Sequence, residues 1–576
     1  MEGRLRMTKP DGTGTPGHSW WRSAAAVLVP VAVYAVVALL LFRGTDGLGM
    51  QFDEVFRLNN LMPVFHNDAQ PYDQSISSIT VLGVTVPLMY KIYISSAFLA
   101  PFLPVGLFAD PLSGLRFLYL FYAVAIPSLA FLLFRTRNYW VAFTVPLLAL
   151  VSPLLYPEIT YGFVDLEFML PLLVAAWLFR EYLRRDRAWR LFIVALLVGV
   201  SVNMAIYAAW IVLGLGVAGV LLYRRSFWRI VVRWRHLAAL VSGLALGLLN
   251  YVYYNLTAGF PTVTPMFNRL FRPAVYAENT IDYKEPIGIV DEMISDLRYA
   301  RTLLGPHAGV FLAILVAAAL VTVVCAFVAA RRGRFDEIRL HLVPIVALVV
   351  AFALILISPN TTRRGHYAVL VGLVELSLVC AFLLALRFVP RVHVTQQRVI
   401  AGALALSIFT FAGTTSRHAV DAVIRTGGDG FFSSAIFDLR DYLQEEGTPA
   451  TAVLQAQWGS GAQLYFLSKG TYAPPSVVGE VLGSPDLASR AAVVAAAIEA
   501  SGGTSLIPVY TNASPPAGID VTEVLEAVAS DEAGSVCTVE IFRDHLGGEE
   551  IRLYRVSLEP GSENSTDASE ECAGIP

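Results

Sequence analysis

Charged side chains are scarce in this chain of 576 residues: Asp, Glu, Lys and Arg together make up 15%, where soluble domains have about 25%. Only four of the 42 basic residues are lysines, an arginine preference typical of GC-rich bacterial genomes. The net charge of −3 excludes a nucleic-acid binder with a basic surface field. Hydrophobic residues make up 56% and the mean hydropathy is +0.60, which excludes a disordered chain and an ordinary cytosolic enzyme. This composition is typical of a polytopic membrane protein.

The sequence also lacks the short motifs of several enzyme classes. It has no Walker loop, no Gly-x-Gly-x-x-Gly after a strand and no His-Glu-x-x-His, which argues against an ATPase, a zinc protease or a haem protein. No Cys-x-x-Cys occurs among the four cysteines. Cys325 and Cys380 lie in apolar runs and are expected to pack as small hydrophobic side chains. Cys537 and Cys572 lie in the polar C-terminal part, where an extracellular location would allow a disulfide.

Apolar runs long enough to cross a bilayer, about 20 residues each, recur between residues 23 and 413. The first run is too long for a signal peptide and no cleavage site follows it, so we interpret it as an uncleaved span. Asn203 and the glycines at 214 and 216 indicate that one long run folds as two helices. The sequence therefore predicts an all-α domain of about eleven spans, in the runs 23–42, 115–134, 139–152, 164–179, 191–223, 237–254, 308–330, 342–358, 366–388 and 398–413.

Arginines mark every second loop between these runs, which predicts the orientation of the chain in a cell membrane. Cytoplasmic loops carry an excess of Lys and Arg. The N-terminal tail, residues 1–22, is therefore expected inside, and everything after about residue 414 is expected outside. The arginine-rich loops begin at Arg135, Arg180, Arg224, Arg331 and Arg387.

The composition changes after residue 414. Apolar strands alternate with helix-like stretches there, which predicts a small α/β extracytoplasmic domain over residues 414–558. The Ser/Glu-rich residues 559–576 are predicted to be a disordered tail. Within the domain we expect helices at 431–446, 487–500 and 521–529 and strands at 451–457, 505–510, 536–542 and 551–556.

Two adjacent carboxylates, Asp53 and Glu54, follow the first span within about ten residues of the predicted outer surface; they are called the acidic pair below. A partly desolvated carboxylate at this place is able to act as a general base toward an incoming hydroxyl group. The alternative interpretation is a solvated pair that marks the membrane boundary.

A second group of carboxylates, Glu158, Asp165 and Glu167, lies in the next predicted outer loop and at the start of the span that follows. A charge at the start of a span is costly unless it is used or paired. The alternative interpretation, a location among the lipid headgroups, suits Glu158 and Glu167 better than it suits Asp165. A functional role is more plausible for Asp165, which precedes an apolar run beginning at Phe168.

A basic group opens a late span on the predicted outer side, against the positive-inside trend. It consists of Arg363, Arg364, His366 and Tyr367, and is called the outer arginine cluster below. Arginine side chains bind phosphate oxygens with two parallel hydrogen bonds. The cluster therefore suits a lipid-linked phosphate at the membrane surface. Contact with anionic lipid headgroups is the alternative.

These features together resemble the GT-C superfamily of integral-membrane glycosyltransferases. The resemblance rests on the acidic pair in a long outer loop, on Asp165 after Ser152-Pro153, on the outer arginine cluster and on the C-terminal domain. The resemblance covers about residues 24–413. Within the superfamily, the chain is similar to the protein O-mannosyltransferases, the lipid-A aminoarabinose transferase and the actinobacterial arabinofuranosyl- and mannosyltransferases. In this layout the outer loop passes through residues 87–91 into juxtamembrane helices. A clear Arg-Tyr-Leu-x-Pro run is absent, which leaves the subfamily open.

The resemblance implies an inverting transfer of a sugar from a polyprenyl-phosphate donor to a cell-envelope glycan, lipid or protein acceptor on the outer face of the membrane. Asp53 would take the proton of the acceptor hydroxyl and Glu54 would assist it. Asp165, with Glu158, would position the acceptor or a divalent cation, Mg²⁺ or Mn²⁺, which some members use. The outer arginine cluster would stabilise the phosphate leaving group. Trp458, in a turn of the C-terminal domain, would stack on a sugar ring, or it packs in the core.

Two other classes stay open. A transporter or flippase of lipid-linked intermediates would place its functional charges near the midplane on broken helices, and often shows internal repeats. Here the charges lie at the predicted outer surface and the two halves of the chain do not repeat. A non-catalytic scaffold with the same architecture would use the C-terminal domain to bind a partner. The presence of Asp53 favours the enzyme.

We expect Asp53→Asn to abolish sugar transfer while expression and donor binding stay near normal. Asparagine keeps the size of aspartate but cannot take a proton at neutral pH, and a general base contributes about 10²–10⁴-fold to the rate. Glu54→Gln should cost less. Transfer assays on membranes with matched protein levels measure both effects. The reverse order would assign the base to Glu54, and full activity in both variants would contradict a role of the acidic pair.

Overall fold

The computed structural model describes residues 17–43, 58–66, 76–81, 83–91, 94–136, 139–152, 166–272, 307–356, 370–388, 433–457, 459–511, 519–531 and 534–558, with the single positions 55, 69 and 72 and part of 410–427. The described chain is mostly helical. Its first half contains α1 (Gly17–Phe42), α2 (Met62–Phe65), β1 (Ser77–Val81), β2 (Val84–Lys91), β3 (Ile94–Ser95), two 3₁₀ helices (Ser96–Phe98 and Ala100–Leu107), α3 (Pro111–Phe134), α4 (Tyr139–Leu150), α5 (Met169–Arg185), α6 (Ala188–Met204), α7 (Ala208–Leu222), α8 (Arg224–Val232), α9 (Trp234–Gly247), α10 (Leu249–Thr257) and α11 (Val263–Phe271).

The second half continues with three apolar helices and a small domain that contains a β-sheet. Its elements are α12 (His307–Arg331), α13 (Phe335–Leu356), α14 (Leu373–Phe388), α15 (Ala435–Glu445), a 3₁₀ turn (Ala450–Ala452), α16 (Ser460–Leu467), α17 (Val478–Gly483), α18 (Leu487–Ala500), β4 (Thr504–Tyr510), α19 (Val521–Asp531), β5 (Ser535–Arg543) and β6 (Glu549–Ser557).

Three of the described helices are long and apolar enough to cross a membrane. They are α1 (over residues 24–42), the whole of α3 and the whole of α13. α9 and α10 pass the same test together, but they meet at an angle of 79°. Most of the other expected runs form apolar helices of 10–17 residues, shorter than the usual span. These helices support a membrane protein, without establishing eleven spans. The long run at 191–223 divides as expected, because α6 ends at Met204 and α7 begins at Ala208.

Small residues allow the apolar helices to approach closely, as is common in membranes. Gly243 and Gly247 lie on the face of α9 that packs against α6. A Cβ atom on Gly247 would lie 2.4 Å from the backbone oxygen of Leu196, and one on Gly199 would lie 2.9 Å from Gly247 Cα. In each case the obstacle is backbone. The contact between α6 and α9 therefore requires glycine.

The segment before α3 folds differently from the expectation. Residues 87–91, expected to lead into juxtamembrane helices, belong to strand β2, the middle strand of an antiparallel sheet with the order β1-β2-β3. Val84, Thr85 and Val86 are β-branched and favour a strand. Pro87 is tolerated because β3 pairs with β2 only at Met89 and beyond, so that one side of Pro87 has no strand neighbour to bond. Two 3₁₀ helices follow instead of regular helices.

In the small C-terminal domain most predicted elements form where the sequence placed them. Its sheet has the order β4-β6-β5, with β6 antiparallel to both neighbours. β4 and β5 thus run in the same direction, are joined through α19 and enclose β6. The stretch 451–457 forms a 3₁₀ turn and isolated bridges rather than a full strand. A core of aliphatic side chains, including Val494, Ile498 and Leu525, holds α18 and α19 together.

The C-terminal domain is joined to the apolar helices through α16. Tyr465 and Phe466 of α16 are buried in one cluster with Leu58 and Tyr119. Asn59 Nδ2 donates a hydrogen bond of 2.8 Å to the backbone oxygen of Ala462. Burial raises the pKa of Tyr465 to about 12, so its phenol is neutral at physiological pH. This contact, called the junction below, places the domain over one end of the helices.

A polar network connects the sheet of the domain to the junction. The Gln457 side chain bonds both backbone groups of Tyr510 at the end of β4: Tyr510 N donates to Gln457 Oε1 at 2.5 Å, and Gln457 Nε2 donates to Tyr510 O at 3.2 Å. The Tyr510 hydroxyl donates to Gln463 of α16. A buried amide that satisfies both groups of a strand end replaces a missing strand neighbour. The position of α16 is thereby coupled to the sheet.

We expect Gly247→Leu to destabilise the protein by at least about 1–3 kcal/mol, the usual cost of overpacking, because its side chain would enter the α6 backbone. Gly219→Leu on α7 is the matched control, since a Cβ atom there meets nothing within 4 Å. Both changes replace a helical glycine by the same larger residue, and leucine has the higher helix propensity, so a loss of stability in Gly247→Leu alone reports the close contact. Thermal unfolding of the purified protein in detergent measures it. Equal melting temperatures would contradict the packing described.

Candidate functional site

The sequence-predicted site residues all lie outside the residues that the structure describes, so their roles stay predictions. They are Asp53, Glu54, Glu158, Asp165, Arg363, Arg364, His366, Tyr367 and Trp458.

Described residues next to three of these segments belong to one hydrophobic cluster. Val55 follows the acidic pair, Leu166 follows Asp165, and Val371 follows the outer arginine cluster in the sequence. Val55 and Val371 are buried in the cluster, and Leu166 packs against it. The same cluster contains the junction side chains of α16. The chain thus brings the flanks of all three segments to the end of the helices that carries the C-terminal domain.

A long apolar cavity opens beside this cluster. Its volume is about 630 Å³, and α3, α4, α5, α7, α13 and α14 line it almost entirely with aliphatic and aromatic side chains. Its lining extends along α3 from Tyr119 to Phe134, which corresponds to about 22 Å of helix. The polar lining side chains are Tyr119, Tyr122, Glu167 and His341. An apolar space of this length is able to take a hydrocarbon chain.

Proline contributes to the shape of the cavity. Pro127 of α3, Pro146 of α4 and Pro344 of α13 all line it, and each lies inside its helix. A proline inside a helix removes a backbone donor and clashes with the preceding turn, which bends the helix. Three lining helices with such a residue are poorly suited to continuous close packing. The cavity lies where they meet.

Glu167 is the carboxylate that borders the cavity. Its side chain is 1% exposed and comes directly before the first turn of α5, where the helix dipole favours negative charge. Its charge acts on the nearby Tyr122 hydroxyl. The alternative that Glu167 lies among the lipid headgroups does not fit this burial, since Glu167 lines the cavity and lies near Tyr122 of α3. The sequence signal was its position directly before Phe168, with no polar residue between the carboxylate and the apolar run.

A second buried carboxylate, Glu375, has a structural role. Gly372 N donates to Glu375 Oε2 at 2.5 Å, and Ser152 supplies a further hydrogen bond. Glu375 is the third residue of α14, so its side chain reaches back to the residue before the helix, as in a capping box. It satisfies a backbone donor at a buried helix start, and it is absent from the cavity lining.

One buried positive charge lies at the same end. Arg116 of α3 is 8% exposed and precedes Tyr119 by three residues, so the two side chains share a face of the helix. A charged side chain within an apolar helix is costly and commonly marks a functional site. Glu167 and Arg116 therefore give this end of the helices buried charges of both signs.

Metal ligands and thiols are distributed as follows. Among the described residues no group of three or more His, Cys, Asp or Glu side chains is placed to hold a metal ion; the candidate ligands Glu158 and Asp165 lie outside them. Cys325 and Cys380 are buried free thiols, as expected, and Cys380 lines the cavity. Cys537 is disulfide-bonded. The remaining cysteine of the sequence, Cys572, lies outside the described residues.

We expect Glu375→Leu to destabilise the protein by about 0.5–2 kcal/mol, the usual effect of losing a helix cap. Glu375→Gln is the matched control, because its amide oxygen still accepts the bond from Gly372 N. Thermal unfolding in detergent compares the two variants. A Leu variant as stable as the wild type would contradict the capping role.

Comparison with known proteins adds no assignment to this geometry. A scan against models of protein families matches none of them, and a search of curated proteins finds no significant match.

Proposed function

We propose that the protein is an inverting glycosyltransferase of the membrane, which moves a sugar from a polyprenyl-phosphate donor to a cell-envelope acceptor. The observation that carries this proposal is the apolar cavity, which has Glu167 and Tyr122 in its lining. Beside it lies the hydrophobic cluster that contains the junction side chains, called the junction cluster below. A polyprenyl chain is a long hydrocarbon that ends in a phosphate. Its tail requires an apolar channel, and its head requires polar groups at one end of that channel.

The tail binds in the cavity between α3, α4, α5, α13 and α14. Each methylene that leaves water gains about 0.8 kcal/mol, although in a bilayer the tail is already out of water. The cavity therefore supplies position more than affinity. It holds the phosphate and the anomeric carbon in one place, and positioning of this kind is a large part of catalysis.

Transfer takes place at the end that carries the C-terminal domain. The acceptor hydroxyl oxygen attacks the anomeric carbon while the bond from that carbon to the phosphate oxygen breaks. Asp53 takes the hydroxyl proton, with Glu54 orienting it, and polyprenyl phosphate leaves with the bonding electrons. The outer arginine cluster stabilises the charge on the phosphate, while Asp165 and Glu158 position the acceptor. Support comes from the described flanks of these segments, which meet in the junction cluster.

This chemistry is placed outside the cell. In the proposed topology the chain crosses the membrane about eleven times, with residues 1–22 in the cytoplasm and residues 414–558 outside. The support is the alternation of arginine-rich loops in the sequence. In this orientation the C-terminal domain covers the outer end of the cavity, and Trp458 is proposed to contact a sugar.

Transport of lipid-linked intermediates is the second candidate, and one observation favours it. α9 and α10 form a broken pair with a bend of 79°, and broken helices are common in transporters. The cavity is not lined by either helix. Because the broken pair is separate from the cavity, transport is less well supported by the structure than sugar transfer.

Blocking the cavity tests the proposal. We expect Ala130→Phe, at a lining position, to reduce binding of a full-length polyprenyl phosphate by the purified protein about tenfold or more, because the phenyl ring would occupy space that the tail needs and overpacking of this kind is costly. Leu132→Phe is the matched control on the same helix, because Leu132 is 40% exposed and does not line the cavity. Native mass spectrometry of the purified protein measures retention of the lipid.

Chain length separates the tail site from the head site. A polyprenyl phosphate with only two isoprene units does not need the deep part of the cavity, so Ala130→Phe should leave its binding unchanged. Equal retention of the long lipid by Ala130→Phe and the wild type would refute the tail site. Normal lipid binding without sugar transfer, together with lipid scrambling in vesicles, would favour transport.

A further inference from the structure

A second, smaller pocket lies at the junction, away from the apolar cavity. Its volume is about 290 Å³, near the lower end of the range for small-molecule sites. One wall comes from the start of α3 and the other from α15 and α16 of the C-terminal domain. Its lining combines two charged side chains with aromatic and aliphatic ones, chiefly Asp110, Leu112, Phe437, Arg440, Phe466 and Leu467.

Asp110 is a fixed, ionised acceptor in this pocket. It caps the N-terminus of α3: Ser113 N and Ser113 Oγ donate to Asp110 Oδ2 at 2.9 and 2.6 Å. Burial raises the pKa of Asp110, but these hydrogen bonds and the positive charge of Lys469 outweigh it, so that the pKa lies below its ordinary value. Lys469 is itself anchored, since its Nζ donates to the backbone oxygen of Ala109 at 3.1 Å.

Arg440 is the donor in the same pocket. Its guanidinium pairs with Asp441 at 2.6 Å and lies 5.9 Å from the centre of the Phe437 ring. A guanidinium carries five N–H donors in a planar fork, and the pair with Asp441 occupies only part of them. The positive charge is therefore balanced while donors remain available.

The pocket thus has a balanced charge on each side and an aromatic surface. The charge of Asp110 is balanced by Lys469, and the charge of Arg440 is balanced by Asp441. Neither a free cation nor a free anion would therefore find an uncompensated partner in the pocket. The polar groups suit a neutral ligand whose hydroxyl groups donate to a carboxylate and accept from a guanidinium. The rings of Phe437 and Phe466 suit an apolar C–H face. A sugar ring combines both properties.

We propose that the junction pocket binds a neutral sugar ring. The identification of this sugar as part of the acceptor rests on the proposed glycosyltransferase function. If the sugar belongs to the acceptor, the acceptor is a glycan. Asp110 and Tyr119, which borders the apolar cavity, are nine residues apart in and before α3, roughly 13 Å along the helix. A glycan held at the junction would then extend toward the transfer site.

Binding to the full chain without any donor tests this proposal independently of transfer. The probes are methyl glycosides of common hexopyranoses and pentofuranoses, added to the protein in lipid nanodiscs. Saturation-transfer NMR should show contact for at least one glycoside, strongest at the C–H protons of one ring face. Binding should weaken about tenfold in Arg440→Met, which keeps the packing of the stem but loses the charge-assisted bonds.

Asp110→Asn provides a second variant, because asparagine also caps helices and preserves the start of α3. It should weaken binding to a similar degree. Glu445→Gln is the matched control: it removes one charge from α15 at an exposed position outside the pocket. Thermal unfolding of each variant verifies the fold.

The results separate the two proposals. Glycoside contact in the wild type that is lost in both pocket variants and kept in Glu445→Gln supports the pocket, whether or not the protein transfers a sugar. Absence of contact for every glycoside with the wild-type protein would overturn it. Equal binding in all variants, or competition by inorganic phosphate at millimolar concentration, would overturn it as well.

Discussion

The cost of placing a charge inside an apolar helix bundle is the constraint on which the architecture depends. Such a charge is retained only where it is paired, hydrogen-bonded or used. In the described part of the apolar helices, both buried carboxylates, Glu167 and Glu375, lie at the end that carries the C-terminal domain. Each precedes or opens a helix, where unpaired backbone N–H groups are available to a carboxylate oxygen. Hydrogen bonding at helix starts therefore lowers the free-energy cost of burying carboxylates at this end.

The C-terminal domain is part of the same arrangement. Its helix α16 is buried together with residues of α3 and of the segment after the acidic pair, and Asn59 bonds its backbone. The Gln457 and Tyr510 network couples that helix to the sheet. Consequently the domain forms a wall of the polar end rather than hanging from a linker, and the junction pocket exists only because the two parts meet.

Several of the apolar helices are short or broken. α4, α6 and α7 are shorter than a usual span, and α9 breaks against α10. Close glycine contacts hold α6 and α9 together on one side, while three of the helices that line the cavity each contain a proline there. Tight packing and open space thus lie in different parts of one helical assembly.

The sequence by itself determined that the protein is mostly helical with apolar helices typical of a membrane protein. It also determined the division of the 191–223 run and most elements of the C-terminal domain. These properties depend on composition and on local periodicity. Tertiary structure decided the rest. Residues 87–91 form a strand because β1 and β3 pair with them, and Glu167 is buried at the cavity near Tyr122 of α3. The junction pocket joins Asp110 to Arg440, which are far apart in the chain. Local patterns carry no information on such contacts, since only packing between distant elements brings these side chains together.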